Sequence, residues 1–213
     1  MMRLGSQYRL SSLRAYGVRF DGDRVLDVGC HDGTLLSSLK SGLRVGVDIA
    51  PRLPRGSLPV VQADGRRLPF RSESFDQTIA LDVIEHVPDG AQITSEMVRV
   101  TRRGGRLFLT TPSANICMFP PFLTGWISAR WGHRWRRGYT GDGMRDLMGD
   151  GCCCSILQWN APAYRFWYLP LRLLSAAWPA LVRCFVDWIA RWDAHHTDGD
   201  RGFYWMWCEK EDT

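Results

Sequence analysis

Apolar and polar positions along the first half of the chain alternate between two patterns. Residues 7–17 space Tyr8, Leu10, Leu13 and Tyr16 as a short helix would. Arg24-Val25-Leu26-Asp27-Val28-Gly29 is a brief apolar run closed by glycine, which predicts a buried strand. A helix is expected over 34–41, then strands over 43–49 (LRVGVDI), 59–63 and 74–81 (SFDQTIAL). Residues 91–101 turn Ile93, Met97 and Val100 to one face, a further helix; Gly104-Gly105 reads as a turn before a fifth strand over 106–111. Strands alternating with helices imply parallel βαβ units in an open sheet covered on both faces.

Past Pro112 the alternation weakens. Residues 142–149 read as a helix, and 152–158 and 203–209 as strands. Between those strands, 164–192 is a long apolar segment. On a helical wheel Arg165, Arg172, Arg183, Asp187 and Arg191 share an arc of ~100°. Trp167, Leu171, Leu174, Trp178, Leu181, Phe185, Trp188 and Trp192 lie opposite. Pro170 and Pro179 divide or kink the segment, so two or three helical pieces are expected. Arginine on one side and tryptophan on the other suit a membrane interface or a lipid-bearing substrate. A lid or core over the sheet and a homodimer core are the other two readings.

Composition sharpens the division. The chain has 213 residues, enough for one domain with a full core. All ten tryptophans fall between Trp126 and Trp207. The net charge is +5, and neither half has the basic excess of a dedicated nucleic-acid binder. Seven cysteines, three of them adjacent (Cys152, Cys153, Cys154) and no CxxC pair, form neither a disulfide framework nor a zinc pattern. Free thiols in a reducing cytoplasm are expected, and no metal site. The first ten residues lack the apolar run of a signal peptide. The longest uncharged stretch after Arg165 has ten residues, where a membrane span needs about twenty.

Candidate chemistry begins where the first strand ends, at Asp27-Val28-Gly29-Cys30-His31-Asp32-Gly33. Ligands bind beyond the carboxyl ends of strands in such sheets, and glycine permits a tight strand-to-helix turn. Asp48, 19 residues after Gly29, stands where an acid accepts ribose hydroxyls. The nicotinamide fingerprint GxGxxG needs glycine at His31 and Thr34, which disfavours hydride transfer.

The segment VLDVGCHDGTL (25–35) resembles the first motif of class I S-adenosylmethionine-dependent methyltransferases, small-molecule branch, type 11-like. Asp48 in GVDIA, Ala63-Asp64-Gly65 with Leu68-Pro69-Phe70 and Ser74-Phe75-Asp76, LDVIEHV (81–87), and Arg99-Val100 with Gly104-Gly105-Arg106-Leu107 resemble motifs that follow in the same order. The resemblance spans about residues 20–115. It implies a Rossmann-like α/β fold: a mostly parallel seven-stranded sheet, an antiparallel last strand, and here a helical insert between strands 6 and 7. It implies S-adenosyl-L-methionine as cofactor. Asp27 would orient the loop, and Gly29 and Gly33 would let the backbone approach, with Cys30 and His31 between them. Asp48 and Ile49 would meet the ribose and its surroundings, Asp64 and Gly65 the adenine, and Leu81 and Asp82 the methionine end. His31 departs from the family loop, which has glycine there.

His86, following the fourth strand, is the first candidate base; His133, in Trp131-Gly132-His133-Arg134-Trp135, is the second. His195 and His196 read as exposed loop residues. Arg130, Arg134, Arg136 and Arg137, interleaved with Trp131, Trp135 and Tyr139, form a basic aromatic loop that could hold an anion or pack on the core. Residues 139–151 loosely resemble a passage of methyltransferases acting on sugars and glycolipids. The expected division is one domain over 1–213: an N-terminal helix in 1–20, a cofactor core over 21–115, a substrate side over 116–158, the insert over 159–202 and the closing strand over 203–213. The expected activity is methyl transfer to a small-molecule or lipid-linked acceptor in the cytoplasm, with peripheral contact at the inner membrane surface through 164–192. The alternatives are an inactive binding module that keeps the fold, or transfer to RNA.

Overall fold

A computed structural model describes residues 4–20, 22–40, 42–52 and 58–211; the first three residues of the expected N-terminal region lie outside these. Seven strands form one sheet: β1 (Arg24–Val28), β2 (Leu43–Asp48), β3 (Val60–Gln62), β4 (Phe75–Leu81), β5 (Thr101–Pro112), β6 (Cys152–Trp159) and β7 (Phe203–Lys210). Their spatial order is β3-β2-β1-β4-β5-β7-β6. The first five are mutually parallel, and β7 runs antiparallel to both β5 and β6. This is the sheet expected from the alternating pattern, with the reversed strand where it was placed.

Seven helices flank it: α1 (Leu4–Ala15), α2 (Thr34–Ser38), α3 (Gly90–Val100), α4 (Thr124–Trp131), α5 (Gly141–Arg145), α6 (Pro162–Leu174) and α7 (Pro179–Asp193). Burial on both faces explains why the central strands read as near-continuous apolar runs; β1 buries Val25, Leu26 and Val28. One core cluster joins α1, α2, α6 and α7 to one face. The other packs α3 and α5 on the opposite face.

Four sequence expectations are corrected. Gly104-Gly105 does not separate helix from strand: β5 starts directly at Thr101, and the glycines accommodate a register shift opposite Phe75 and Gln77, with Gly104 at φ 61°. Cys154 and Cys208 form a disulfide, because the antiparallel β6–β7 register sets them opposite each other; that pairing across 54 residues is not visible in spacing. Arg130 and Trp131 belong to α4 and not to a loop. The α2 helix stops at Ser38 instead of 41.

The insert after β6 is an antiparallel helical pair. Pro179 opens α7 at its first turn, where its missing N–H costs nothing, while Pro170 lies inside α6. The two helices are closed onto α1 by Asp193. Its buried carboxylate accepts hydrogen bonds from the Tyr8 hydroxyl, from Ala163 N at 2.8 Å and from Tyr164 N at 3.1 Å. One side chain thus caps the first turn of α6, ends α7 and fixes α1. Tyr8 stacks on Tyr164 with centroids 3.7 Å apart, and Trp159 lies beyond it at 5.3 Å. Among the described residues no helix is long and apolar enough to cross a membrane.

Replacing Asp193 by Ala strands the Tyr8 hydroxyl and two buried N–H groups. We expect a loss of ~3 kcal/mol or more in urea unfolding. Asp193→Asn, which keeps one acceptor, should lose less; an Ala variant as stable as the parent would refute the clasp.

Candidate active site

The carboxyl ends of β1, β2, β3 and β4 lie along one edge of the sheet, and the loop residues assigned to the cofactor in the sequence follow them there. After β1 the chain turns through Gly29 (φ 79°), His31 (φ 41°) and Gly33 (φ 68°) into α2. A Cβ on Gly29 would stand 2.4 Å from Val83 Cγ2, so the loop needs glycine there for both angle and space. His31 also adopts the left-handed region that the missing glycine would have entered freely. Its N–H donates to Asp48 Oδ2 at 2.9 Å, and Ala50 N donates to Asp48 Oδ1 at 2.8 Å. Asp48 therefore ties the β1 loop to the end of β2.

Asp27 is buried, and burial together with the negative Asp48 pushes its carboxyl well above the usual carboxylate range. Burial also pushes the Cys30 thiol up to about 12, so it is no nucleophile. Ile49 is 68% exposed at the rim. Asp64 accepts from Arg66 Nη2 at 2.7 Å and from Arg66 N at 2.9 Å, which hold its carboxyl below the usual range. Gly65 packs beside Val28.

Leu81 ends β4, and Asp82 follows at φ 53°, a strained angle for a non-glycine residue. The surroundings impose it. Asp82 N donates to Thr110 O at 3.0 Å, Thr110 Oγ1 donates to Asp82 Oδ1 at 2.9 Å, and Arg9 grips both carboxylate oxygens at 2.7 and 3.1 Å. Arg9 reaches in from α1, nearly buried, with its guanidinium 3.6 Å from the Phe203 ring centroid. Burial works against its cation and Asp82 more than offsets this, leaving the pKa raised. Nη1 of Arg9 is buried with no hydrogen-bond partner.

One turn further, Glu85, His86 and His133 meet. Glu85 is fully buried; Thr111 Oγ1 donates to its Oε2 at 3.2 Å, while Oε1 has no hydrogen-bond partner. Oε1 lies 4.0 Å from His86 Nε2 and 3.9 Å from His133 Nε2. His86 Nδ1 is 3.3 Å from Gly132 O, which can only accept, so in the neutral ring Nδ1 carries the proton and Nε2 is bare. His133 Nδ1 meets Ser128 Oγ at 3.1 Å. Burial and the neighbouring His86 hold the His133 pKa down at about 4. Burial, then Asp82, pushes Glu85 well above the carboxylate range. An oxygen seated among the three comes within hydrogen-bond reach of each. Their ligand atoms all lie within 4.8 Å of one another, a group that could take a metal ion as well as move a proton, although no metal-ligand spacing marks it in the sequence.

The two histidines singled out from sequence therefore come together across 46 intervening positions, brought by α4 folding over Ile84–His86. His195 and His196 are exposed beyond the end of α7, with His196 stacked on Trp192. Arg136 donates to Pro88 O and lies over the Tyr139 ring, a packing role for that part of the basic segment. Sequence reasoning passed over Arg9, Glu85, Thr110 and Ser128. Glu85 stood within the quoted motif beside His86; Arg9 carried no signal, because only the docking of α1 brings it to β4.

Residues 26–109 match the family model described as a methyltransferase domain, and the sheet order and helix placement are those of SAM-dependent class I methyltransferases. A ubiquinone biosynthesis O-methyltransferase of Xylella fastidiosa is 34% identical over 121 residues, covering 51% of this chain and 49% of that protein. The chain thus matches about half the length of such curated relatives. A SAM-dependent methyltransferase structure from Thermotoga maritima superposes with a TM-score of 0.65 at 17% identity, covering 96% of this chain and 91% of that one. Phosphoethanolamine N-methyltransferase 2 of Haemonchus contortus, solved with S-adenosyl-L-methionine, gives a TM-score of 0.61 at 14% identity, covering 96% and 52%.

The depressed His133 pKa has a consequence for stability. Its folded value lies below the unfolded one, so the folded state binds fewer protons between about pH 6.5 and pH 4, and stability falls as pH drops through that window. His133→Phe removes the group. Urea midpoints of this variant should change less than the parent's between those pH values; parallel curves would show that His133 is not held neutral.

Proposed function

We propose that this chain, whose residues 26–109 form a methyltransferase domain on the class I fold, moves the methyl group of S-adenosyl-L-methionine to a hydroxyl of a small or lipid-linked aromatic acceptor. The observation that carries the reading is the adjacency, at one sheet edge, of the β1-loop and Asp48 constellation with the Glu85–His86–His133 group.

The residues fit the cofactor. Arg9 Nη1, an orphaned buried donor beside Asp82, matches a carboxylate at the methionine end. Asp48 has lone pairs left for ribose hydroxyls after accepting two backbone N–H groups. Asp64 and Gly65 stand where the adenine edge is expected. When bound, the cofactor supplies a methyl group already activated on a sulfonium, so the protein has to align the acceptor and exclude water.

A hydroxyl acceptor needs its proton removed as it attacks. His86 Nε2, bare and at the half-exposed mouth of the group, takes that proton. Glu85 behind it, its carboxyl pushed up by burial, ionises more readily once His86 is charged, and so steadies the imidazolium. His133, held neutral and enclosed by Ser128 and Trp131, positions the hydroxyl and shuts out solvent. An oxygen acceptor agrees with the name of the curated relatives, ubiquinone biosynthesis O-methyltransferases. RNA as acceptor finds no support in a net charge of only +5 over 213 residues, without the basic excess of a dedicated nucleic-acid binder. A setting at a membrane surface suits an acceptor carrying an apolar tail.

Purified protein with methyl-labelled cofactor and protocatechuate, a soluble catechol, tests the reading. We expect labelled methyl ether, and S-adenosylhomocysteine binding by calorimetry that weakens ~10-fold or more in Asp48→Ala. His86→Gln should lower kcat by ~100-fold or more with that affinity unchanged. Binding without transfer to any hydroxylated ring would select the inactive module, and absence of binding would overturn the reading.

A further inference from the structure

The insert buries one face and leaves the other in solvent. Tyr164, Tyr168 and Leu171 of α6, and Val182, Val186 and Ile189 of α7, face inward. Outward stand Leu173 (78% exposed), Leu181 (65%), Trp178 (58%) and Trp188 (50%). Large apolar side chains in such number seldom face water without a partner.

This surface does not stop at the insert. Phe119 and Phe166 rings lie 4.7 Å apart, Phe166 and Trp167 5.5 Å, Trp167 and Phe185 5.4 Å, and Phe185 and Trp188 5.5 Å. The ribbon therefore runs from the turn before α4, across α6, to α7. Phe122 (82% exposed) and Trp126 (57%) extend it at the α4 end. Segments about 40 residues apart in the chain form one aromatic surface.

The exposed charges on these helices have one sign. Arg130, Arg172, Arg183 and Arg191 are exposed. Of the acids of α7, Asp187 is hydrogen-bonded by Ser11 in the cleft beside α1, which Arg183 also lines, and Asp193 is sealed in the clasp. α4 and α6 contain no acidic residue. A second copy would bring the same arginines against one another, because a two-fold interface pairs a patch with itself. An anionic lipid surface complements both the aromatic face and its cationic rim.

We propose that the ribbon from Phe119 to Trp188, with Phe122 and Trp126, docks this chain onto the surface of an anionic phospholipid bilayer without spanning it. The same helices lead to the acceptor site. α4 carries Ser128 and Trp131, and Trp131 Nε1 donates to Tyr168 OH of α6 at 2.6 Å. Docking thus holds the His86 mouth close to the headgroups, where a tailed acceptor would present its ring. That last step rests on the proposed methyl transfer; the docking does not.

Flotation of the full chain with vesicles tests it, using phosphatidylcholine alone against phosphatidylcholine with a quarter phosphatidylglycerol, at low and high salt. We expect flotation with the anionic vesicles only, reduced by salt. Phe122→Ser with Trp178→Ser should weaken it tenfold or more, and Arg172→Gln or Arg191→Gln roughly fivefold each. Folding of each variant is checked by circular dichroism and S-adenosylhomocysteine binding, and transfer to protocatechuate should match the parent. Protein left at the bottom with anionic vesicles overturns the proposal. So does a dimer in light scattering that the Phe122/Trp178 variant abolishes without any flotation. Flotation without methyl transfer would sink the activity and leave the docking, and the converse result would do the reverse.

Discussion

The buried carboxylate of Asp193 holds the two halves of this chain together. It ends α7, caps α6 through Ala163 N and Tyr164 N, and receives the Tyr8 hydroxyl of α1. Burial raises its pKa, and those three donors offset the cost of placing it there. One residue along α1, Arg9 grips Asp82 at the end of β4. α1 is therefore a strut between the insert and the reactive edge of the sheet. Loosening the clasp frees Arg9, and with it the surroundings that impose the strained backbone of Asp82.

That strain is local and functional in position. Asp82 lies between the loop that fits the cofactor and the Glu85–His86–His133 group, so its angle sets where the chain turns from one to the other. Burial then sorts the titrating groups. Glu85 is pushed up, His133 is held down, and His86 stays at the mouth with a bare nitrogen. Three groups of differing environment within reach of one oxygen are the arrangement that the proposed proton removal calls for.

The insert divides its faces by the same logic. Its tyrosines and valines meet α1 and the sheet, where a packed partner exists, and its tryptophans do not. The exposed face ends beside α4, which also supplies the wall of the reactive group. The candidate site and the apolar surface are neighbours because α4 and α6 contribute to both, and an acceptor with an apolar tail would meet both.

Five parallel strands, their order along the chain and the ligand-binding edge were legible in the sequence, because buried strands and their closing glycines leave local patterns that no distant contact has to complete. Gly29, Asp48, Asp64 and Asp82 could be placed for the same reason: each ends a strand or follows one within two residues. The Trp/Arg division of 164–192 was legible as a periodicity, and Pro179 marked where the helices part. The Cys154–Cys208 pair, the meeting of His86 with His133, the role of Arg9 and the extension of the aromatic surface to Phe119 were decided only by tertiary structure. Each joins residues far apart in the chain, across a strand register or a helix crossing, and such geometry depends on how every intervening element packs rather than on any local run of residues.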